Sequence, residues 1–113
     1  MDQIEQLMKA LADQNRLKII AALSQKKLCV CELAELLGIT QPSVSKHLKK
    51  LKEAQLIESE QDGFWTNYYL TKSFFQNNKF IKAFLDQLLL EKEIKKLVRE
   101  IKSLDRESIC CSK

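Results

Sequence analysis

The stretch from Leu28 to Leu51 constrains the fold of this chain more than any other, because it predicts two short helices joined by a tight turn. In its first half, apolar residues recur at the i, i+3, i+4 and i+7 positions of one helical face, and Gly38 follows them, where a helix end favours a left-handed residue. Thr40 can then cap the second helix. The inner face of that helix consists of Val44, Leu48 and Leu51. Two helices with a glycine in the turn between them predict a helix-turn-helix.

The outer face of this second helix is basic. From Gln41 to Lys52 there are four lysines and no acid, and the net charge of the whole chain is +4, so the remaining residues carry no net charge. A basic second helix favours insertion into the major groove of double-stranded DNA, and a solvated lysine face is the alternative interpretation. The predicted contacts to operator DNA are Gln41, Ser43, Ser45, Lys46, His47, Lys49 and Lys50.

The flanking sequence predicts the rest of the fold. Asp13 or Asn15 can start the helix that precedes the helix-turn-helix. Asp62-Gly63, followed by a segment rich in aromatic and β-branched residues, predicts a β-hairpin with a two-residue turn. After a polar connection, one long helix is predicted to start at residue 77 or 78. The fold class is therefore mainly α with a β-hairpin, a winged helix-turn-helix in the order α-α-α-α-β-β-α.

The end of this long helix carries an apolar seam. Leu90, Ile94, Leu97 and Ile101 follow one another in steps of four and three, as in a coiled coil. A small domain cannot cover so long a stripe by itself, and core packing along its whole length is the alternative. We therefore predict a homodimer whose interface includes these four residues and Leu7 of the first helix. Residues 1–104 are expected to form the DNA-binding and dimerisation domain, and residues 105–113 a flexible tail that contains cysteines.

The four cysteines are predicted to be metal ligands or redox thiols rather than disulfides. The N-terminal sequence MDQIEQLM lacks the basic region of a signal peptide, and no apolar run approaches the ~20 residues that span a bilayer. We therefore expect a cytoplasmic protein without membrane contact, in which thiols stay reduced. Unremarkable cysteines with no such role are the alternative.

The first pair, Cys29 and Cys31, lies at the start of the third helix. Residues two apart are about 200° apart around an ideal helix, so both thiols could bind one ion only if the first turn is distorted. The N–H groups and dipole of a helix N-terminus stabilise thiolate. No Ser, Thr, Asp or Asn precedes this helix as a cap, so we expect its first turn to be poised between conformations. The second pair, Cys110 and Cys111, lies in the polar tail.

Four segments together resemble the ArsR/SmtB family of metal-responsive bacterial repressors. They are ALADQNRLKII (residues 10–20), LCVCEL (28–33), QPSVSKHL (41–48) and GFWTNYYL (63–70). The resemblance implies an obligate dimer that represses a metal-resistance operon and releases DNA when metal binds, and LCVCEL is similar to the thiol-sensing branch. It implies that Cys29 and Cys31 correspond to the family's two helix cysteines. The family's arsenic sensors have a third cysteine where this chain has Ala34, and its cadmium and lead sensors draw ligands from an N-terminal arm that has none here.

His47 is the only histidine, so the family's zinc site on the last helix, which needs His and Asp, is expected to be absent. The resemblance places His47 in the recognition helix, where we expect it to pack or to contact phosphate rather than to bind metal. Family members often carry basic residues around the hairpin tip, but Glu60 and Asp62 precede Gly63 here, so contact between the wing and DNA is left open.

The expected inducer is arsenite or antimonite, bound by Cys29, Cys31 and one or both of Cys110 and Cys111. Thiolates select soft ions, and two helix thiols alone would leave a trivalent ion one ligand short. Use of all four thiols would instead suit a tetrahedral divalent ion such as cadmium or zinc. A response to Cd, Pb or Zn is therefore the alternative, and oxidation of the thiols is a further one. No organic cofactor is expected. An enzyme is not expected, because the chain has no C-x-x-C within a βαβ pattern, no nucleophile–base pair and no phosphate loop.

Overall fold

A computed structural model describes residues 2–110, apart from the side chains of Glu107 and Cys110. Its elements are, in chain order, α1 (Asp2–Leu11), α2 (Gln14–Leu23), α3 (Val30–Leu37), α4 (Gln41–Glu53), β1 (Ile57–Asp62), β2 (Trp65–Leu70), α5 (Lys72–Asn77), α6 (Lys79–Leu88), α7 (Lys92–Ile101) and α8 (Arg106–Cys110). Within the described residues, no helix is both long and apolar enough to cross a membrane. The predicted winged helix-turn-helix is confirmed, with differences at the hairpin turn and in the helices that follow the hairpin.

The helix ends form where the local sequence predicts them. The Asp13 carboxylate accepts hydrogen bonds from the backbone N–H groups of Asn15 and Arg16 at 2.8 and 3.1 Å and starts α2. Gly38 ends α3 with a φ of +69°, and its N–H donates to the Ala34 carbonyl. The Thr40 hydroxyl accepts from the Ser43 N–H at 3.3 Å and starts α4. The two helices of the predicted helix-turn-helix are thus confirmed.

The hairpin turn lies one residue later than its sequence predicts. Asp62 pairs with Trp65 across the antiparallel strands, so Gly63 and Phe64 form the two-residue loop. Gly63 has a φ of +62°, which the first loop position of a type II′ turn requires and which Asp62 would adopt only with strain. Leu28, just before α3, exchanges two backbone hydrogen bonds with Tyr68 of β2, so the wing is attached to the start of the helix-turn-helix.

The core is centred on α2, whose residues from Ile19 to Leu23 are all buried. Inner residues of α3 and α4 pack against it, among them Leu33, Val44, Leu48 and Leu51. Tyr68 packs the hairpin onto this core. Leu56 and Ile57, where the chain passes from α4 into β1, are also buried in it. The inner side of α4 is therefore packed into the core, which fixes the direction in which its outer side faces.

The prediction of a single long C-terminal helix is wrong. The chain bends after α6 and again after α7, and the predicted polar connection from residue 71 to residue 78 contains α5. Asn78 does cap α6, because its side-chain oxygen accepts from the Ile81 N–H at 3.2 Å. Leu88, the last residue of α6, is buried, whereas Leu90 in the turn that follows is 62% exposed.

The predicted exposed seam is likewise wrong for three of its residues. Ile94, Leu97 and Ile101 are each at most 6% exposed, and α7 packs against α2 of the same chain. Apolar residues in steps of four and three fit one face of a core helix as well as a coiled-coil seam, and α2 supplies the apolar surface that the prediction assigned to a second subunit.

Candidate nucleic-acid interface and thiol site

The outer face of α4 is exposed along its whole length. Its inner residues fix its rotation, since Val44, Leu48 and Leu51 are buried. The predicted DNA-contacting residues are exposed at Gln41, Ser45, Lys46, Lys49 and Lys50 and half-buried at Ser43 and His47. We call these seven residues the recognition face. It is a continuous polar and basic surface at the N-terminal and middle turns of α4.

The lysines of α4 are not equivalent. Lys52 donates a hydrogen bond of 2.9 Å from Nζ to Oγ of Ser59, which ties the end of α4 to β1. Within the described part of the chain, Lys46, Lys49 and Lys50 make no ion pair or side-chain hydrogen bond. Three lysines of the recognition face are therefore available to neutralise phosphate.

Arg16 fixes His47, a contact that sequence reasoning missed. Arg16 Nε donates to the Ala10 carbonyl at 2.7 Å and Nη2 to the Lys9 carbonyl at 3.1 Å, at the end of α1. Its Nη1 lies 3.2 Å from Nδ1 of His47. A guanidinium only donates, so when the ring is neutral Nδ1 accepts and the ring hydrogen is on Nε2. Arg16 thus joins α1, α2 and the recognition helix, and no local motif could reveal a contact across 31 residues.

The wing presents an acidic and aromatic surface. Glu60 of β1 forms an ion pair of 3.0 Å with Lys27, whose ammonium group also lies 4.9 Å from the ring centre of Tyr69. Phe64, at the tip, is 90% exposed. Part of the acidic charge near the tip is neutralised by Lys27, and no basic residue stands in the turn itself.

The first turn of α3 is capped, contrary to the sequence prediction. Cys29 is the N-cap residue, and its backbone N–H donates to the Glu32 carboxylate at 3.0 Å as part of a capping box. The C-x-x-E spacing from Cys29 to Glu32 is the sequence signal of this cap. Cys29 is buried and Cys31, two residues later, is half-buried. Both cysteines therefore belong to a turn that Glu32 holds in place.

Helix α8 packs against α3. Arg106 reaches the buried Glu32 carboxylate with Nη2 at 2.8 Å and Nε at 3.2 Å. Nη2 also donates to the side-chain oxygen of Asn67 on β2, and the guanidinium lies 5.0 Å from the ring centre of Trp65. The C-terminal segment, the wing and the cysteine-bearing turn thus share one cluster of contacts.

The ligand set itself stays a prediction. Among the side chains that the structure describes, no three His, Cys, Asp or Glu residues come together as a metal site. Cys111 and the side chain of Cys110 lie outside the described part of the chain. What the structure adds is the position of α8, the helix that ends at Cys110, beside the helix that begins after Cys29.

Comparison with known proteins shows the family. The model of the arsR family of bacterial regulatory proteins matches residues 13–59. The arsenical resistance operon repressor of Staphylococcus aureus is 31% identical over 85 residues, which are 72% of this chain and 82% of that repressor. The chain belongs to the arsR family. Because this is a family of regulatory proteins, the prediction that the chain is not an enzyme is confirmed.

A second sequence relative and a solved structure are also similar to this chain. The arsenical resistance operon repressor of Bacillus subtilis (strain 168) is 51% identical over 67 residues, or 58% of this chain. That match spans 64% of the B. subtilis repressor, less than two thirds of its length. The solved structure of HlyU from Vibrio cholerae N16961 superposes with a TM-score of 0.65 at 27% identity, covering 78% of this chain and 89% of that one.

Proposed function

We propose that this chain is a dimeric transcriptional repressor that binds operator DNA through α4 and releases it when a metal or metalloid ion binds its cysteine thiolates. The observation that carries the DNA-binding part is the recognition face. Lys46, Lys49 and Lys50 of this face make no ion pair within the described residues, and they project from a helix whose opposite side is buried in the core. Neutralisation of phosphates by such lysines releases counterions and supplies much of the affinity for DNA.

A dimer would place two recognition helices on successive turns of one face of DNA. Half-sites read by paired helix-turn-helix proteins are about 34 Å apart, and their sequence is a near-palindrome because the protein has two-fold symmetry. Lys46, Lys49 and Lys50 would then contact phosphate or base edges, while Gln41, Ser43 and Ser45 position the helix or read base edges. His47, held at Nδ1 by Arg16, has its donor nitrogen available to a phosphate.

The exposed apolar residues outside the core support a revised dimer surface. Apart from Phe64 at the hairpin tip, they are Ile4 and Met8 on α1, Phe80 on α6 and Leu90 just after α6, each 40% exposed or more. Ile4 and Leu7 also line a groove with Phe74 and Asn78, which brings α1 next to the start of α6. We propose that α1 and the α6 region form the interface, and that Ile94, Leu97 and Ile101 stabilise the subunit instead.

Arsenite or antimonite is the proposed inducer. The donor set is sulfur, which suits soft ions, and both relatives described above are named as arsenical resistance repressors. Cys29, Cys31 and one or both of Cys110 and Cys111 would hold the ion. Cadmium, lead or zinc on all four thiolates is the alternative inducer. Binding at Cys29 and Cys31 would disturb the turn that Glu32 caps, and with it the support of α4.

The test is release of DNA in the presence of each ion. Operator fragments are first selected from a random duplex library with the reduced, metal-free protein. The complex is then titrated with arsenite, antimonite, cadmium, lead and zinc, with magnesium as a hard-ion control. We expect release at the lowest concentration with arsenite or antimonite. A protein that selects no DNA sequence, or a complex that none of the soft ions dissociates, would contradict the proposed function.

A further inference from the structure

The ring of His47 is held by a residue outside its own helix. Nη1 of Arg16, on α2, lies 3.2 Å from Nδ1 of this ring. A guanidinium can only donate, so the contact is a hydrogen bond only while Nδ1 carries no hydrogen and accepts. The neutral ring then carries its hydrogen on Nε2, and its orientation is restrained by a residue 31 positions earlier in the chain.

Each nitrogen of the Arg16 guanidinium makes a contact. Besides Nη1, Nε donates to the Ala10 carbonyl at 2.7 Å and Nη2 to the Lys9 carbonyl at 3.1 Å. These carbonyls belong to the last turn of α1, where a helix lacks the N–H groups that would otherwise bond them. The backbone N–H of Arg16 also donates to the Asp13 carboxylate at 3.1 Å. The planar fork therefore has a fixed orientation, which the single ammonium group of a lysine could not reproduce.

The other ring nitrogen of His47, Nε2, is open to solvent. It makes no hydrogen bond within the described residues, and it is not a buried atom. Lys46 is its neighbour in the chain, and Lys50 lies three residues further along on the same side of α4. Both lysines are exposed. A hydrogen-bond donor beside two ammonium groups suits an anion, and phosphate oxygens are the groups of DNA that such donors contact most.

We infer that Arg16 is a positioning residue for DNA binding, which holds the neutral ring of His47 so that its Nε2–H donates to a phosphate of the DNA backbone. The inference rests on the proposed function for the identity of the ligand. It gives His47 a contact of a different kind from those of the lysines. A lysine neutralises a phosphate and releases counterions, whereas a neutral donor binds the phosphate without adding charge. Arg16 then acts on DNA through the ring and not by touching phosphate itself.

The fixed ring is tested on the full-length, untagged, reduced protein by nitrogen NMR at about pH 8, where an ordinary histidine is neutral. His47 is the only histidine of the chain, so the imidazole signals belong to it alone. We expect one neutral form with its hydrogen on Nε2 in wild type, and exchange between both neutral forms in Arg16→Ala and Arg16→Lys. Arg99→Ala, which removes an exposed arginine of α7, is the matched control and should keep the wild-type spectrum. A hydrogen on Nδ1 in wild type, or equal spectra for wild type and Arg16→Ala, would overturn the inference.

The role in DNA binding is tested by operator affinity over a salt series, with operator selected from the random duplex library. Arg16→Lys keeps the charge but loses the forked contacts, so it should bind operator about fivefold more weakly, the size of one neutral hydrogen bond, with an unchanged salt slope. Arg99→Ala should bind as wild type does. Wild-type affinity in Arg16→Lys would mean that only the charge of Arg16 matters. A slope reduced by about 0.9 in Arg16→Ala would mean that Arg16 binds phosphate itself. Either result would overturn the inference.

A double-mutant cycle separates positioning of the ring from a general effect on the fold. Arg16→Lys should change operator affinity by less than about twofold once His47 is changed to Ala, because the ring through which it acts is gone. Equal weakening with and without His47 would mean that Arg16 only supports the helices, and would overturn the inference.

Variants of His47 keep the inference testable if the Arg16 variants do not fold. The side-chain amide of His47→Gln can donate in place of Nε2–H, so this variant should bind operator more tightly than His47→Ala. Equal affinity of the two His47 variants would overturn the inference. A wild type that selects no DNA would refute the proposed function and the inference with it, whereas a wild type that binds operator and gives any of the contrary results would refute the inference alone.

Discussion

At the scale of single residues, this chain uses lysines of one helix in two ways. Lys52 ties α4 to the hairpin through Ser59, while Lys46, Lys49 and Lys50 make no such contact in the described part of the chain. The difference arises from position on the helix rather than from residue type. DNA affinity should therefore depend on three of the four lysines.

Replacing these lysines should weaken DNA binding in a salt-dependent way. Each Lys→Ala change at a phosphate contact should reduce the slope of log K against log salt by about 0.9. Lys92→Ala, on α7 away from the recognition face, is the control and should leave the slope unchanged. Binding of the triple variant as tight as wild type across a salt series would exclude the recognition face as the DNA-binding surface.

Asp13 makes the start of α2 sensitive to acid. Burial opposes its ionisation, but the hydrogen bond from the Arg16 backbone and the nearby His47 and Arg16 side chains outweigh burial and lower the pKa of Asp13 below 3.8. Folding thus favours the ionised Asp13 carboxylate. The stability that this carboxylate contributes is fully present above pH 3.8 and is lost as the pH falls through its lower pKa in the folded protein. Asp13→Asn, which keeps the cap, should remove this part of the acid dependence of the unfolding free energy, measured by urea titration. An unchanged acid dependence would show that Asp13 does not contribute.

At the scale of elements, the first turn of α3 is where capping and thiol chemistry meet. Cys29 occupies an N-cap position, for which serine is a preferred residue, so Cys29→Ser should leave α3 intact. Cys31→Ser changes a half-buried thiol without touching the cap.

Both substitutions should preserve DNA binding and abolish the response to arsenite. The reason is that each removes one ligand from a site that needs three, while the hydroxyl keeps the local backbone. The measurement is operator affinity with and without arsenite for each variant. Ala34→Ser is the control, since position 34 has no thiol to lose. Arsenite-induced release that is as strong in either Cys→Ser variant as in wild type would remove that cysteine from the site.

Local signals in the sequence predict the elements, but not their long-range contacts. Asp13, Gly38 and Thr40 act within three or four residues, so the helix ends they set could be predicted. The burial of Ile94, Leu97 and Ile101 could not be predicted, because their spacing fits a core and a seam equally. Nor could the pairing of Arg106 with Glu32, since nothing local marks two residues 74 apart as partners.

At the scale of the whole molecule, burial separates residues that stabilise the subunit from residues that can join subunits. Leu97 is 6% exposed, so Leu97→Ala should lower the free energy of unfolding by about 2–5 kcal/mol. Ile4 and Met8 are exposed, so charged residues there should leave the subunit folded.

Ile4→Glu with Met8→Glu should therefore give a folded monomer with weak operator binding. Charges on a buried dimer surface oppose association, and one recognition helix alone loses the affinity of the paired site. Sedimentation reports the mass and circular dichroism the fold, with Lys9→Glu on the same helix as the control for added charge. A wild type that is monomeric at micromolar concentration, or a double variant that remains dimeric, would contradict the proposed surface.

The most direct test of the central claim, that one chain couples a thiol-bound ion to DNA, is the affinity for arsenite with and without operator DNA. Coupling between two binding sites is reciprocal, so if arsenite weakens DNA binding, saturating operator must weaken arsenite binding by the same factor. Isothermal titration of the reduced protein, free and fully bound to operator, measures that factor. We predict weaker arsenite binding in the DNA complex by the ratio seen for operator release, and no operator effect on residual binding in Cys31→Ser. Equal arsenite affinity in the free and DNA-bound wild type would contradict the account.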